Sequence, residues 1–192
     1  MKNDRCHQAA ILTDFDYSRI RKQIKSQKYK LLLDLAWYTG EQWGTLLKLR
    51  ISDCFEPNGS PHECINFRSR TRKVNPDGEY KTRQVPVHEV LRESLSNYKP
   101  EPDSPWLFSD RTGEKPMTFR WADMILRSAV EKAGLSAKGI STHSTRRSCI
   151  NKLYRNGTDI STIQKITGHR NVECLKSYFG DSDRVRGAIA AL

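Results

Sequence analysis

Apolar positions in the first fifty residues fall in short blocks divided by polar stops. Leu31, Leu32, Leu33, Leu35 and Ala36 predict a helix ending near Gly40, and Leu46, Leu47 and Leu49 predict another behind it. Ahead of both, Thr13 followed three residues on by Asp16 reads as a capping-box variant that opens a helix, with Leu12 placed to staple onto Tyr17. Residues 64–73, beginning Cys64-Ile65-Asn66-Phe67, then read as a strand. Asn75-Pro76-Asp77-Gly78 reads as a turn, and 80–87 as the return strand. Val87, Val90, Leu91 and Leu95 begin a further helix, and the proline-rich stretch 100–105 is a stiff surface loop. Thr118 caps a helix that ends at Gly134. Three short helices follow: 143–156 ended by Gly157, 160–166 capped by Asp159 and stopped by Gly168, and 172–179 capped by Asn171. The pattern is α+β, mainly α, with one small antiparallel hairpin.

Composition narrows the partner. The 192 residues suit one domain, and 33 Lys and Arg against 22 Asp and Glu leave a formal charge of +11. Such an excess favours a polyanion, nucleic acid first. Cys6, Cys54, Cys64, Cys149 and Cys174 are odd in number and widely spaced, with no CxxC pair. That fits neither a disulfide framework nor a zinc module, and it suits a reducing, cytoplasmic setting. No apolar run is long enough for a membrane span, and no signal-peptide core follows the N-terminus. No GxxxxGK[ST] loop is present, and the histidines lack cysteine partners at zinc-ligand spacing. No cofactor is expected.

The candidate chemistry lies in the last third. His143 and Arg146 are three apart, which places them on one helix face. A guanidinium there can grip two oxygens of a phosphate, and an imidazole can exchange a proton near neutral pH. His169 follows Gly168 just past a helix end, where a side chain can be presented into a cleft. Tyr178 lies nine residues on. A free phenol is a weak nucleophile near neutral pH and needs a base or a cationic field, which the neighbouring helices offer. The hairpin adds Arg68, Arg70, Arg72, Lys73, Lys81 and Arg83, a set suited to a DNA groove. Arg147 and Arg170 are further candidate phosphate contacts.

Taken in order, these segments resemble the tyrosine recombinase, or phage integrase, family over nearly the whole chain, from Leu12 to about Leu192. The run from Trp37-Tyr38-Thr39-Gly40 to Leu49-Arg50 is similar to the family's first-arginine helix, and Thr71-Arg72-Lys73 with Lys81-Thr82-Arg83-Gln84-Val85-Pro86-Val87 to its catalytic-lysine hairpin. His143-Ser144-Thr145-Arg146 is similar to the HxxR box, and Thr167-Gly168-His169 with Tyr178 to the GH…Y box. The resemblance implies the catalytic-domain fold of DNA breaking-rejoining enzymes and a 3′-phosphotyrosine intermediate that needs neither ATP nor metal. It implies Tyr178 as nucleophile, Arg146 as phosphate clamp, His143 as acid/base and His169 as transition-state hydrogen-bonder. Lys73 becomes the general acid, with Lys81 as its rival.

The chain departs from the family's pattern at Gln42, where the leading arginine falls, and at Thr45, where its acidic partner falls. Thr145 stands where an apolar residue is usual, and weaker packing of that box is the expectation. Residues 1–11 are expected to be a short extension and 12–192 one catalytic domain, without an N-terminal core-binding domain. The 180–192 tail is expected to pack on a neighbouring protomer, giving a tetramer on double-stranded DNA, or on its own domain, and a full-length recombinase is a further candidate partner. Two readings follow: a strand-transferring recombinase or integrase, and a DNA-binding recombinase-like module with weak or no catalysis, regulatory or left by a mobile element. Topoisomerase-like relaxation by the same chemistry ranks below both.

Overall fold

The capping box at Thr13 does open the first helix of this computed structural model, which describes residues 9–68, 82–169, 171–176 and 178. Thr13 Oγ1 accepts from the Asp16 backbone N–H at 3.1 Å, and Asp16 Oδ2 accepts from the Thr13 N–H at 3.1 Å, so α1 (Asp14–Gln23) begins with two otherwise orphaned donors satisfied. α2 (Gln27–Thr39) buries Leu31, Leu32, Leu33, Leu35, Ala36 and Trp37 on nearly all sides. A helix apolar around most of its circumference belongs at the centre, and α2 packs against α4 (Glu89–Ser96) and α6 (Thr142–Arg155). Each of these leucines contributes about 1.5–3 kcal/mol by leaving water.

Gly40 ends α2 with φ +61, a left-handed turn that a side chain would strain. A Cβ at this position would also meet Cys149 Sγ of α6 at 2.9 Å. The close approach of the 40–42 turn to α6 therefore depends on glycine. The next helix is shorter than the leucine spacing predicts. α3 covers only Trp43–Leu46, and the chain continues in i→i−3 turns, Lys48 N–H to Thr45 O and Leu49 N–H to Leu46 O, into a 3₁₀ turn at Ile51–Asp53.

β1 (Cys64–Phe67) and β2 (Arg83–Pro86) pair antiparallel, with Ile65 opposite Val85 and Phe67 opposite Arg83. Ile65, Phe67 and Val85 face the core. The predicted turn and most of the basic hairpin, residues 69–81, lie outside the described residues. α5 (Phe119–Lys132), capped by Thr118, packs on α1. α7 (Ile160–Thr167), capped by Asp159, and α8 (Glu173–Lys176) close the described fold. Ile150, Ile163 and Leu175 form a small apolar cluster that joins α6, α7 and α8, with Tyr154 and Tyr178 packed on its edge. The N-terminal segment is tied to α6 by Leu12 N–H to Ser148 Oγ at 2.7 Å and by Lys152 to Asp14 at 2.7 Å.

Candidate active site

The end of α2, the start of α6 and the end of α7 converge. Arg146 lies in the second turn of α6, is 4% exposed, and donates from Nη1 to the Gly40 carbonyl at 2.7 Å. That bond uses the carbonyl freed where α2 stops, so the left-handed glycine turn helps to aim the guanidinium. Nη2 lies 3.2 and 3.1 Å from the two ring nitrogens of His169. His169 is placed by Gly168, whose φ of +66 caps α7 and turns the chain back toward α6. Tyr178 is half-buried, and its ring stands edge-on to His169 with centroids 5.5 Å apart. The apolar cluster beneath it holds the phenol on that side of α6. The structure thus brings together Arg146, His169 and Tyr178. His143 is exposed one helical turn before Arg146 on α6.

Gln42 is exposed at the N-cap position of α3 and aligns no cation with this group. Its neighbour Glu41 does enter the site. Glu41 is 1% exposed, and its Oε1 accepts the Gln42 backbone N–H at 2.7 Å and lies 3.8 Å from Arg146 Nη1. Its Oε2 receives the Arg83 guanidinium. Arg83, expected among the DNA contacts, is instead turned inward: its side chain is 10% exposed and its guanidinium lies 4.7 Å from the centroid of the Phe67 ring. Its place opposite Phe67 at the end of the hairpin ladder brings it to the buried carboxylate. Arg68 pairs with Asp53 at 2.7 Å while keeping a third of its side chain exposed. Arg147 donates to the Ala9 carbonyl at 2.7 Å, so it fastens the N-terminal segment. Arg70, Arg72, Lys73, Lys81 and Arg170 fall outside the described residues. Arg50 stacks on Trp106, its carbon Cζ 5.5 Å from the ring centre.

Two details correct the reading of the sequence. Thr145 does not loosen its box. It is fully buried, its hydroxyl accepts the Trp43 indole N–H at 3.1 Å, and it donates to the Thr142 carbonyl at 3.2 Å. The polar residue on α6 is matched to the indole on α3. Glu41 was missed altogether; its only signal in the sequence is a carboxylate directly after the helix-ending glycine, four residues before the position where the family's acid is absent. Beneath the site, burial pushes the Cys149 thiol up to about 11, so it is an inert packing group. Among the described residues there is no group of three or more His, Cys, Asp or Glu side chains that could hold a metal ion, and no helix is long and apolar enough to cross a membrane.

A mainly helical domain with a two-stranded sheet and a guanidinium, an imidazole and a phenol gathered at one helix end has the fold of a tyrosine recombinase catalytic domain. The phage integrase family model matches residues 10–184, and the chain belongs to that family. It is 26% identical over 164 residues to tyrosine recombinase XerD of Brucella suis, covering 82% of this chain and 49% of that protein. It is 30% identical over 158 residues to XerC of Chlamydia caviae, covering 76% and 49%. The chain therefore spans about half the length of these relatives. Among solved structures, the XerA recombinase superposes with a TM-score of 0.75 at 24% identity over 96% of this chain and 66% of that one. A Tn1549 transposon integrase in complex with circular intermediate DNA superposes with a TM-score of 0.71 at 19% identity, over 100% and 68%.

Proposed function

We propose that this chain is the catalytic domain of a site-specific recombinase that cuts and rejoins double-stranded DNA through a 3′-phosphotyrosine. The convergence of Arg146, His169 and Tyr178 carries this reading. Tyr178 Oη attacks phosphorus, a covalent bond forms to the 3′ phosphate, and the 5′ oxygen leaves with a proton. A 5′ hydroxyl then attacks the phosphotyrosine and the phenol regains its proton. The link conserves the bond energy, so the two steps are near isoenergetic transesterifications. Arg146 clamps the non-bridging oxygens, His169 adds a hydrogen bond, and His143 exchanges the proton at the nucleophile. Lys73 or Lys81 of the hairpin protonates the leaving oxygen. Arg68, Arg70, Arg72 and Arg170 contact the duplex, and the 180–192 tail joins protomers on DNA.

A second reading has a specific motive. Gln42 brings no charge to the pocket, and the Glu41 carboxylate lies 3.8 Å from the clamp. On that reading the domain binds DNA as a recombinase-like module and cleaves it poorly. Incubation with a pool of nicked duplexes carrying randomised cores distinguishes the two. A covalent adduct that Tyr178→Phe abolishes establishes the enzyme. Salt-sensitive binding that Tyr178→Phe leaves unchanged, with no adduct from the unaltered chain, establishes the binding module.

A further inference from the structure

Thr167 has one proton and two close partners. Its Oγ1 lies 2.6 Å from the Ile163 carbonyl oxygen and 2.7 Å from His169 Nδ1. A carbonyl only accepts, so at 2.6 Å the hydroxyl proton points to Ile163. The same oxygen then receives its second hydrogen bond from His169, which places a proton on Nδ1. Thr167 is completely buried in the last turn of α7, and its Cγ2 would lie 3.6 Å from a Cβ at Gly40, so the hydroxyl has no other orientation to take without breaking a short bond. With Nδ1 protonated, the lone pair of the neutral ring is on Nε2, while Arg146 Nη2, 3.2 Å from Nδ1 and 3.1 Å from Nε2, lies against the ring and not along either nitrogen's in-plane direction.

This has a consequence for an incoming phosphate. Its oxygens are acceptors, and a neutral ring in this tautomer offers them only another acceptor. A hydrogen bond from Nε2 therefore requires a second proton on the ring, taken from water as the anion docks. The charged and titratable groups around the ring, among the described residues, are Arg146 of α6, Tyr178 after α8, and behind Arg146 the Glu41 carboxylate with Arg83 of β2. Arg146 opposes the extra proton while the site is empty; a bound anion reverses that balance.

We propose that Thr167 is a positioning residue that fixes His169 in the Nδ1–H tautomer, so that the imidazole engages a bound phosphate only after Nε2 has taken up a proton. The proposal rests on reading His169 as a phosphate-facing residue, and it identifies what sets that residue's protonation.

The test uses the full chain with ¹⁵N-labelled histidine and sulfate as probe, since sulfate keeps its charge across the imidazole range. The neutral ring of His169 is expected to show a pyrrole-like Nδ1 and a pyridine-like Nε2. Sulfate, against chloride at equal ionic strength, should move its titration midpoint upward by about one pH unit. Thr167→Val keeps the methyl against Gly40 and removes the acceptor. It should convert the neutral ring to Nε2–H or a mixture and shrink the sulfate effect, and Thr167→Ser should restore both. A neutral ring with Nε2–H in the unaltered chain overturns the proposal, as does the same nitrogen pattern in Thr167→Val. If sulfate leaves the His169 titration where it was, the phosphate-facing role and the proton uptake fail, while the nitrogen pattern still decides whether Thr167 sets the tautomer.

Discussion

Glu41→Gln is the change whose cost follows most directly from the structure. The carboxylate and the Arg83 guanidinium are ion-paired with side chains only 2% and 10% exposed, so neither charge is relieved by water when the other is lost. Removing one member of such a pair costs about 3–5 kcal/mol, because the remaining buried charge loses that ion-pair partner. Glutamine keeps a carbonyl oxygen that can still accept the Gln42 N–H, which Glu41 Oε1 now accepts at 2.7 Å, so the loss belongs at the lower end, about 3 kcal/mol. In a chain of 192 residues, that corresponds to a fall in Tm of about 6–12 °C. Urea unfolding at pH 7, followed by far-UV circular dichroism, measures it. Arg83→Met in the same background removes the other member of the pair, so the double variant should be more stable than the sum of the single losses implies, by about 2 kcal/mol. A loss for Glu41→Gln below about 1 kcal/mol, the range of an exposed pair, would refute the reasoning, as would strict additivity.

Thr145→Val replaces the hydroxyl with a methyl in a fully buried place, yet it should destabilise by about 1–3 kcal/mol in the same urea assay, because the Trp43 indole N–H loses its acceptor. Burial alone would raise the Asp16 carboxyl, but hydrogen bonds from Lys138 at 2.6 Å and from Thr13 outweigh it and hold the group below the ordinary carboxylate range. Its folded value is the lower one, so its contribution is complete above about pH 4 and disappears as pH falls through that value. Asp16→Asn should flatten the acid limb of Tm against pH between 2 and 5, and an unchanged limb would count against the pairing. On the recombinase reading, Gln42→Arg should raise the rate of adduct formation on nicked duplexes by about 10²–10³, the effect of restoring one transition-state donor.

Local signals in the sequence located most helices within a residue or two. The Thr13–Asp16 box, the Thr118 and Asp159 caps and the stops at Gly40 and Gly168 each satisfy or release backbone groups within one turn, so they can be read without tertiary knowledge. α3 was less legible: Leu47 and Leu49 are buried by turns that follow the helix, and apolar spacing does not distinguish a continuing helix from a compact 3₁₀ path. The meeting of Arg146, His169 and Tyr178 was legible because their spacing is tied to consecutive helices. Glu41 and the inward turn of Arg83 were not. Residues 42 apart in sequence meet only through the register of β1 on β2 and the approach of the 40–42 turn to α6. A basic residue in a basic hairpin gives no sign of which face it occupies until that register is known.

The same contacts set the balance of charge around Arg146. Among the described residues, one buried carboxylate is set against two guanidiniums, Arg83 and Arg146, and Glu41 engages Arg83 directly while remaining at 3.8 Å from Arg146. Arg146 is the guanidinium set against His169, whose ring in turn meets Tyr178. Among the described residues, the His169 imidazole is a further group beside Arg146 that can take up positive charge. If Thr167 holds Nδ1–H, the proton drawn onto Nε2 by an incoming phosphate supplies a cation at the clamp when the anion arrives. If an arginine at position 42 reached the same anion, it would carry that charge permanently and oppose the second ring proton. Gln42→Arg should therefore weaken the sulfate-linked rise in the His169 titration even as it speeds cleavage. An undiminished rise would show that the glutamine and the imidazole do not share the task of charging the site.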